Sequence, residues 1–278
     1  MEHKPSTVRE APDSRIQATR ERNTKRKNKK KGNLEKKQTK YQKKRNSKAC
    51  RRRVFFHRER EKKVTNKEIY TNYHIHRYIC EKYKTFDNET YRHMINTAVY
   101  AKIIAEDYAS RFPESRLGSR EIEHIRLAAE IHDIGKMVVP ASILKKENKL
   151  DESSEMPIVR AHVTAGEAMI AGTFPSPNDA FAQCCRNVCM LHHERWDGRG
   201  YPKGLKEEAI PIEAQIVAIS DVLDALTSER VYKTAIDFEE AFSVICSGGC
   251  GAFSEKIYES FSACREQLFR SVETALKI

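Results

Sequence analysis

The run His192-His193-Glu194-Arg195-Trp196-Asp197-Gly198-Arg199-Gly200-Tyr201-Pro202 joins two adjacent imidazoles to an acid and a glycine-rich loop. Imidazole nitrogens are the commonest protein metal ligands. Gly198 and Gly200 permit a sharp turn and close backbone approach, and Pro202 fixes the exit. Upstream, His132-Asp133 closes an alanine-rich apolar stretch and is followed by Ile134-Gly135-Lys136. His162 lies between the two pairs, Glu89 and His93 precede them at i and i+4, and Asp221 follows inside an otherwise apolar segment. Burying a carboxylate unpaired costs several kcal/mol, so Asp221 calls for a cation or a metal. Taken singly, several of these read as ordinary structure. Glu89 and His93 would make a surface hydrogen-bonded pair, and His162 a packed or solvated helix residue. The ordered set is a different matter. Glu89, His93, His132, Asp133, His162, His192, His193 and Asp221 supply imidazole nitrogens and carboxylate oxygens, which suit divalent iron, manganese, nickel or zinc. Asp133 can bridge two ions, and the set is too large for one tetrahedral zinc, so two or three metals are expected. Two ions a few ångströms apart can bind phosphate oxygens and hold a water in line with a P–O bond. Phosphodiester hydrolysis is the chemistry this set suggests.

Helices must position these side chains. A lead-in helix is predicted over residues 64–85, where Tyr70, Tyr73, Ile75, Tyr78 and Ile79 recur at helical spacing. His74 and His76 lie there two apart, would point to different faces, and read as structural. A helix from Asp87 to Ser110 opens on a capping residue and carries an apolar stripe from Met94 to Tyr108. A second runs from Ser119 to the HD pair, and a third from about Ser153 to Gly172 carries His162. A fourth, Asp179 to Arg195, delivers His192 and His193 after a loop containing Pro175 and Pro177. Ile210-Pro211 announces the helix of Asp221, and Asp224, nearly one turn on, is placed to support a neighbouring side chain. Arg230 and Lys233 would share a face if that helix continues, as phosphate contacts or as its solvated basic end. Residues 238–278 read as two closing helices separated by Ser247-Gly248-Gly249-Cys250-Gly251. No strand pair or internal repeat is evident, so the fold expected is all-α.

The pattern HHExxxGxGYP at 192–202, together with His-Asp-Ile-Gly-Lys at 132–136, resembles the signature of the HD-GYP phosphodiesterases of the HD superfamily of metal-dependent phosphohydrolases. The resemblance covers about residues 86–265. It implies hydrolysis of cyclic di-GMP to pGpG or onward to GMP, in bacterial second-messenger signalling, at a carboxylate-bridged centre of two or three ions, iron or manganese. Carried over by position, His93, His132, Asp133, His162, His192, His193 and Asp221 match metal ligands, and Glu89 matches a glutamate of members holding a third metal. Lys136 matches the lysine beside the scissile phosphate and, with Asp133, is the catalytic expectation. Arg230 and Lys233 match residues that hold the dinucleotide's phosphates, and Gly200, Tyr201 and Pro202 match the loop beside the site. The chain departs from the pattern at Asn96, where arginine is frequent, and at Phe253-Ser254-Glu255, where Phe-Asp-Pro is frequent. Two other readings stay open: a different cyclic dinucleotide or nucleotide as substrate, and an inactive binding protein.

Composition divides the chain. Residues 1–63 hold 25 Lys and Arg against 7 Asp and Glu, about +18, so the remaining residues carry about −6 of the formal +12 total. The tail has little apolar periodicity and reads as disordered, with non-specific attraction to RNA or anionic lipid as its functional reading. Residues 86–278 are expected to be the catalytic domain. No run of 18 apolar residues and no secretory signal is present, and a cytoplasmic setting is expected. Its eight cysteines read as free thiols, and a zinc site at Cys185, Cys189 and His192 is disfavoured because no second CxxC-type pair accompanies it.

Overall fold

In the computed structural model the described residues are 66–174, 176, 178–229 and 234–275, with side chains described from 72 onward. The basic tail, Pro175, Pro177, Arg230 and Lys233 lie outside them. Every element among the described residues is helical. In chain order these are α1 (Asn66–Phe86), α2 (Asn88–Arg111), α3 (Ser119–Ala129), α4 (Ala141–Leu144), α5 (Met156–Arg160) and α6 (His162–Thr173). They continue with α7 (Ala180–Leu191), α8 (Ile212–Thr227), α9 (Phe238–Cys246), α10 (Glu255–Ala263) and α11 (Arg265–Ala275). Short 3-10 turns follow the HD pair at Ile134–Val138 and precede α8 at Glu207–Ala209.

Local chemistry sets the starts. Asp87 accepts from the backbone amides of Glu89 and Thr90 to open α2, Asp179 caps α7 through Ala182 N, and Asp237 and Ser254 cap α9 and α10. Such caps stabilise by about 1 kcal/mol each. One apolar stripe of α2, Met94, Ala98, Ala101, Ile104 and Ala105, is buried, and α2 packs against α3, α8, α10 and α11. α8 is buried from Ile216 through Asp224 on every face, as expected of a central helix. Asp221 and Asp224 are therefore inside the protein. α6 packs on α7 and on the turn after the HD pair, and α7 on α3, which brings three helix ends together.

Four sequence expectations need correction. The third helix is two, α5 and α6, divided at Ala161, where the Val159 carbonyl accepts from the His162 imidazole. The fourth stops at Leu191, so His193, Glu194 and Arg195 lie in the loop. α8 stops at Thr227 with Ser228 extended, short of the Arg230 expected as its end, and Arg230 and Lys233 lie outside the described residues. The C-terminal part is three helices, α10 and α11 being separated at Cys264. Among the described residues no helix is long and apolar enough to cross a membrane.

Candidate metal centre

Three of the histidines stand just beyond helix ends, where the last carbonyls have no intrahelical donor. His132 Nδ1 lies 2.8 Å from Ala129 O at the end of α3, and His162 Nδ1 lies 2.7 Å from Val159 O in α5. His192 Nδ1 lies 2.8 Å from Val188 O in α7. A carbonyl can only accept, so these partners place the proton on Nδ1 and leave the Nε2 lone pair facing inward. His93 is set differently: its Nδ1 is 2.6 Å from Oδ2 of Asp224, a carboxylate on α8 with no exposed surface. The helix ends also present the negative pole of the backbone dipole, which favours a cation between them.

Two carboxylates straddle the imidazoles. Asp133 Oδ1 faces His162 Nε2 at 3.2 Å and His192 Nε2 at 3.8 Å. Its Oδ2 faces His132 Nε2 at 3.4 Å and His93 Nε2 at 3.8 Å, and pairs with Lys136. Asp221 Oδ1 lies 3.0 Å from His93 Nε2, and its Oδ2 4.0 Å from His193 Nδ1. The donors fall into two groups, His93-His132-Asp133 and His162-His192-His193. With Nδ1 protonated, His162 Nε2 and His192 Nε2 are two lone pairs only 3.4 Å apart. His132 Nε2 and Asp133 Oδ1 are buried without a hydrogen-bond donor. Acceptors that face acceptors in a buried site repel one another, and divalent cations are the chemistry that reconciles them. The donor set fits divalent metal ions.

Electrostatics keep the donors in ligand form. Burial, reinforced by the charge of His132, lowers His192 to about 3, and burial likewise holds His193 well below the usual imidazole range. Burial alone would raise Asp133 and Asp221. The charges of Lys136 and His132 outweigh it at Asp133, and His93 outweighs it at Asp221, so both carboxyls sit well below the usual range. His192 and His193 are thus held neutral and Asp133 and Asp221 ionised, as metal ligation requires.

Residues 59–249 match the HD domain family. The chain belongs to that family. The His192–Pro202 run, which resembles the HD-GYP signature, lies within the matched residues. A "Cyclic di-GMP phosphodiesterase" of Vibrio cholerae serotype O1 is 36% identical over 184 residues, 65% of this chain and 37% of that protein. Another of that name, from Thermotoga maritima, is 36% identical over 184 residues, 66% of this chain and 46% of that one. A "3'3'-cGAMP-specific phosphodiesterase 2" of Vibrio cholerae serotype O1 is 34% identical over 169 residues, 61% of this chain and 29% of that protein. The chain spans less than half the length of each.

Of the expected site residues, this HD domain gathers His93, His132, Asp133, His162, His192, His193 and Asp221, with Lys136 on Asp133. Glu89 is exposed one turn before His93, and its carboxylate makes no ion pair with the others. Tyr201 stacks on His193 with centroids 4.7 Å apart, and the peptide to Pro202 is cis. Gly200 has no room for a side chain, since a Cβ would stand 2.4 Å from Arg195 N. Three contributors escaped the sequence reading. Glu194 is buried and holds the loop by accepting from Lys203 N (2.7 Å) and Leu205 N (2.9 Å). Arg195 donates to the carbonyls of Cys250 and His192 and lies over the Phe253 ring. Arg160 lies 5.1 Å over the Tyr201 ring. Glu194 was signalled by its place in the motif; nothing in the sequence pointed to Arg160.

Proposed function

We propose that the chain is a metal-dependent phosphodiesterase that hydrolyses cyclic di-GMP to pGpG or GMP. The observation that carries this is the pair of histidine groups spanned by Asp133, a donor arrangement suited to two ions beside a phosphodiester. The names of the relatives supply the substrate class. His93, His132, Asp133, His162, His192, His193 and Asp221 hold two divalent ions, iron or manganese, and Glu89 stands ready as a ligand for a third. When bound, such ions supply Lewis acidity to phosphate oxygens and acidify water.

The chain's own residues do the rest. Asp133 sets the spacing of the two histidine groups. Lys136 carries the cation nearest that carboxylate and neutralises charge that builds on the reacting phosphate. Gly200, Tyr201 and Pro202 form the wall against which the dinucleotide lies, with Tyr201 held flat on His193. Arg230 and Lys233 grip the remaining phosphate by charge-assisted hydrogen bonds. The setting is cytoplasmic, and the basic tail adds salt-sensitive attraction to RNA or anionic lipid.

The relative named for 3'3'-cGAMP supports one second reading, a mixed cyclic dinucleotide as the preferred substrate. Anaerobically metal-loaded protein incubated with cyclic di-GMP and, in parallel, 3'3'-cGAMP, with products resolved chromatographically, tests both. Faster loss of cyclic di-GMP with appearance of pGpG or GMP is expected. Faster loss of 3'3'-cGAMP supports the second reading, and no loss of either overturns the enzyme.

A further inference from the structure

A second group of metal-binding side chains stands apart from the histidine centre. His76 and Cys80 project one turn apart from α1, and Glu130 follows the last residue of α3 as its C-cap. His76 Nε2 lies 3.3 Å from Glu130 Oε2 and 3.6 Å from Cys80 Sγ, and Cys80 Sγ lies 4.0 Å from the same Oε2. A tetrahedral ion with bonds of about 2.0 Å to nitrogen and oxygen and about 2.3 Å to sulfur has ligand–ligand edges of about 3.3–3.6 Å. The triangle of these three atoms is close to one face of that tetrahedron. All three side chains are largely or fully enclosed, His76 being 3% and Cys80 7% exposed.

The surroundings balance a dication. Arg126 pairs with the other Glu130 oxygen, leaving Oε2 to the cluster, and is itself held by both carboxylate oxygens of Glu123. A divalent ion on one thiolate and one carboxylate is electrically neutral, and the Arg126–Glu123 pair beside it is neutral too. Burial lowers His76 to about 4, so its imidazole is uncharged and available. Without an ion the His76 Nε2–H donates to Leu127 O at 3.0 Å, and burial, ahead of the Glu130 charge, pushes the Cys80 thiol up to about 12. Binding therefore exchanges the thiol proton, released to solvent, for the metal, and moves the imidazole proton to Nδ1.

We propose that His76, Cys80 and Glu130 form a single-ion site for a thiophilic divalent cation such as zinc, with water in the fourth position. The site ties α1 to the end of α3, two residues ahead of the HD pair. It is independent of the histidine centre and of the reaction proposed there.

Cobalt(II) titration of the full chain separates the two sites, because the histidine centre contains no sulfur donor. Coordination by Cys80 gives a thiolate-to-cobalt charge-transfer band in the near ultraviolet that nitrogen and oxygen ligands do not give. With the histidine centre already loaded with iron or manganese, the expected result is a band that saturates at one equivalent and is displaced by zinc. It should be absent in Cys80→Ser and need at least tenfold more cobalt in Glu130→Ala, a variant that keeps the thiol. Hydrolysis of cyclic di-GMP and the ions of the histidine centre should persist in Cys80→Ser. No band in the wild-type protein, or a band of unchanged strength in Cys80→Ser, overturns the site and leaves a hydrogen-bonded trio.

Discussion

His93 reaches the centre through Nε2 because Asp224, 131 residues away, accepts its Nδ1–H at 2.6 Å. Partners of this kind fix the tautomer and orientation of a ligating imidazole, and losing one costs roughly 10- to 100-fold in metal affinity. Asp224→Ala should therefore weaken metal binding by about that factor in an equilibrium titration while the protein still folds. Unchanged affinity would remove Asp224 from the account. Gly135 makes a different demand. A Cβ there would lie 1.9 Å from the His162 carbonyl and 2.5 Å from Gly166 N, both backbone atoms with no freedom to yield. Overpacking of this kind costs about 1–3 kcal/mol, so Gly135→Ala should lower the melting temperature of the metal-free protein by several degrees. Equal melting would show that α6 and the HD turn can separate. The residues that the fold gathers were legible because histidine and acid types recur in a recognisable order. Of their supports only Asp224 was anticipated, and without its partner. The Asp224 partner, the Arg195 contact to Cys250 and the cluster of His76 with Glu130 join positions 54 to 131 residues apart, and no spacing rule spans such a gap. His76 was read against His74, whereas its partner is Cys80 on the next turn.

At the scale of elements, helix ends do the positioning. Asp87 and Asp179 announced α2 and α7 because a capping carboxylate acts within three residues and is visible locally. The other ends were misjudged where side chains compete for backbone groups. The imidazoles of His162 and His192 add a second donor to the carbonyls of Val159 and Val188, at the points where one expected helix divides and another ends. Beyond α7, the loop to α8 is held by the buried Glu194 carboxylate on two backbone amides. Hydrogen bonds to a charged acceptor contribute about 1.5–3 kcal/mol, and Glu194→Gln keeps the volume while removing the charge. The expected outcome is a KM for cyclic di-GMP raised roughly tenfold with the ions per chain unchanged. A variant that loses its metal instead would make Glu194 part of the centre and contradict its assignment to the loop.

Over the whole molecule, charge separates what packing does not. The first 63 residues carry 25 basic and 7 acidic side chains, and every proposed ligand lies after them. The all-α architecture was legible from helical periodicity and the lack of alternating strands, while what the tail does is written only in its charge. Removing residues 1–63 should leave metal content and turnover at the full-length level. It should abolish a salt-sensitive association with RNA or anionic vesicles, because counterion release scales with the phosphates neutralised. Turnover lost at equal metal loading would make the tail part of the catalytic unit.

On the proposed function, Asp133 joins two metal-binding histidine groups into one hydrolytic centre. Counting the ions per chain in Cys80→Ser protein, with and without Asp133→Ala, tests it without interference from the sulfur-containing site. At least two iron or manganese ions are expected with Asp133 present, and one or none, with loss of cyclic di-GMP hydrolysis, in Asp133→Ala. A single ion in the presence of Asp133, after anaerobic preparation with metal supplied, would contradict the bridged centre, as would two ions and undiminished hydrolysis without it.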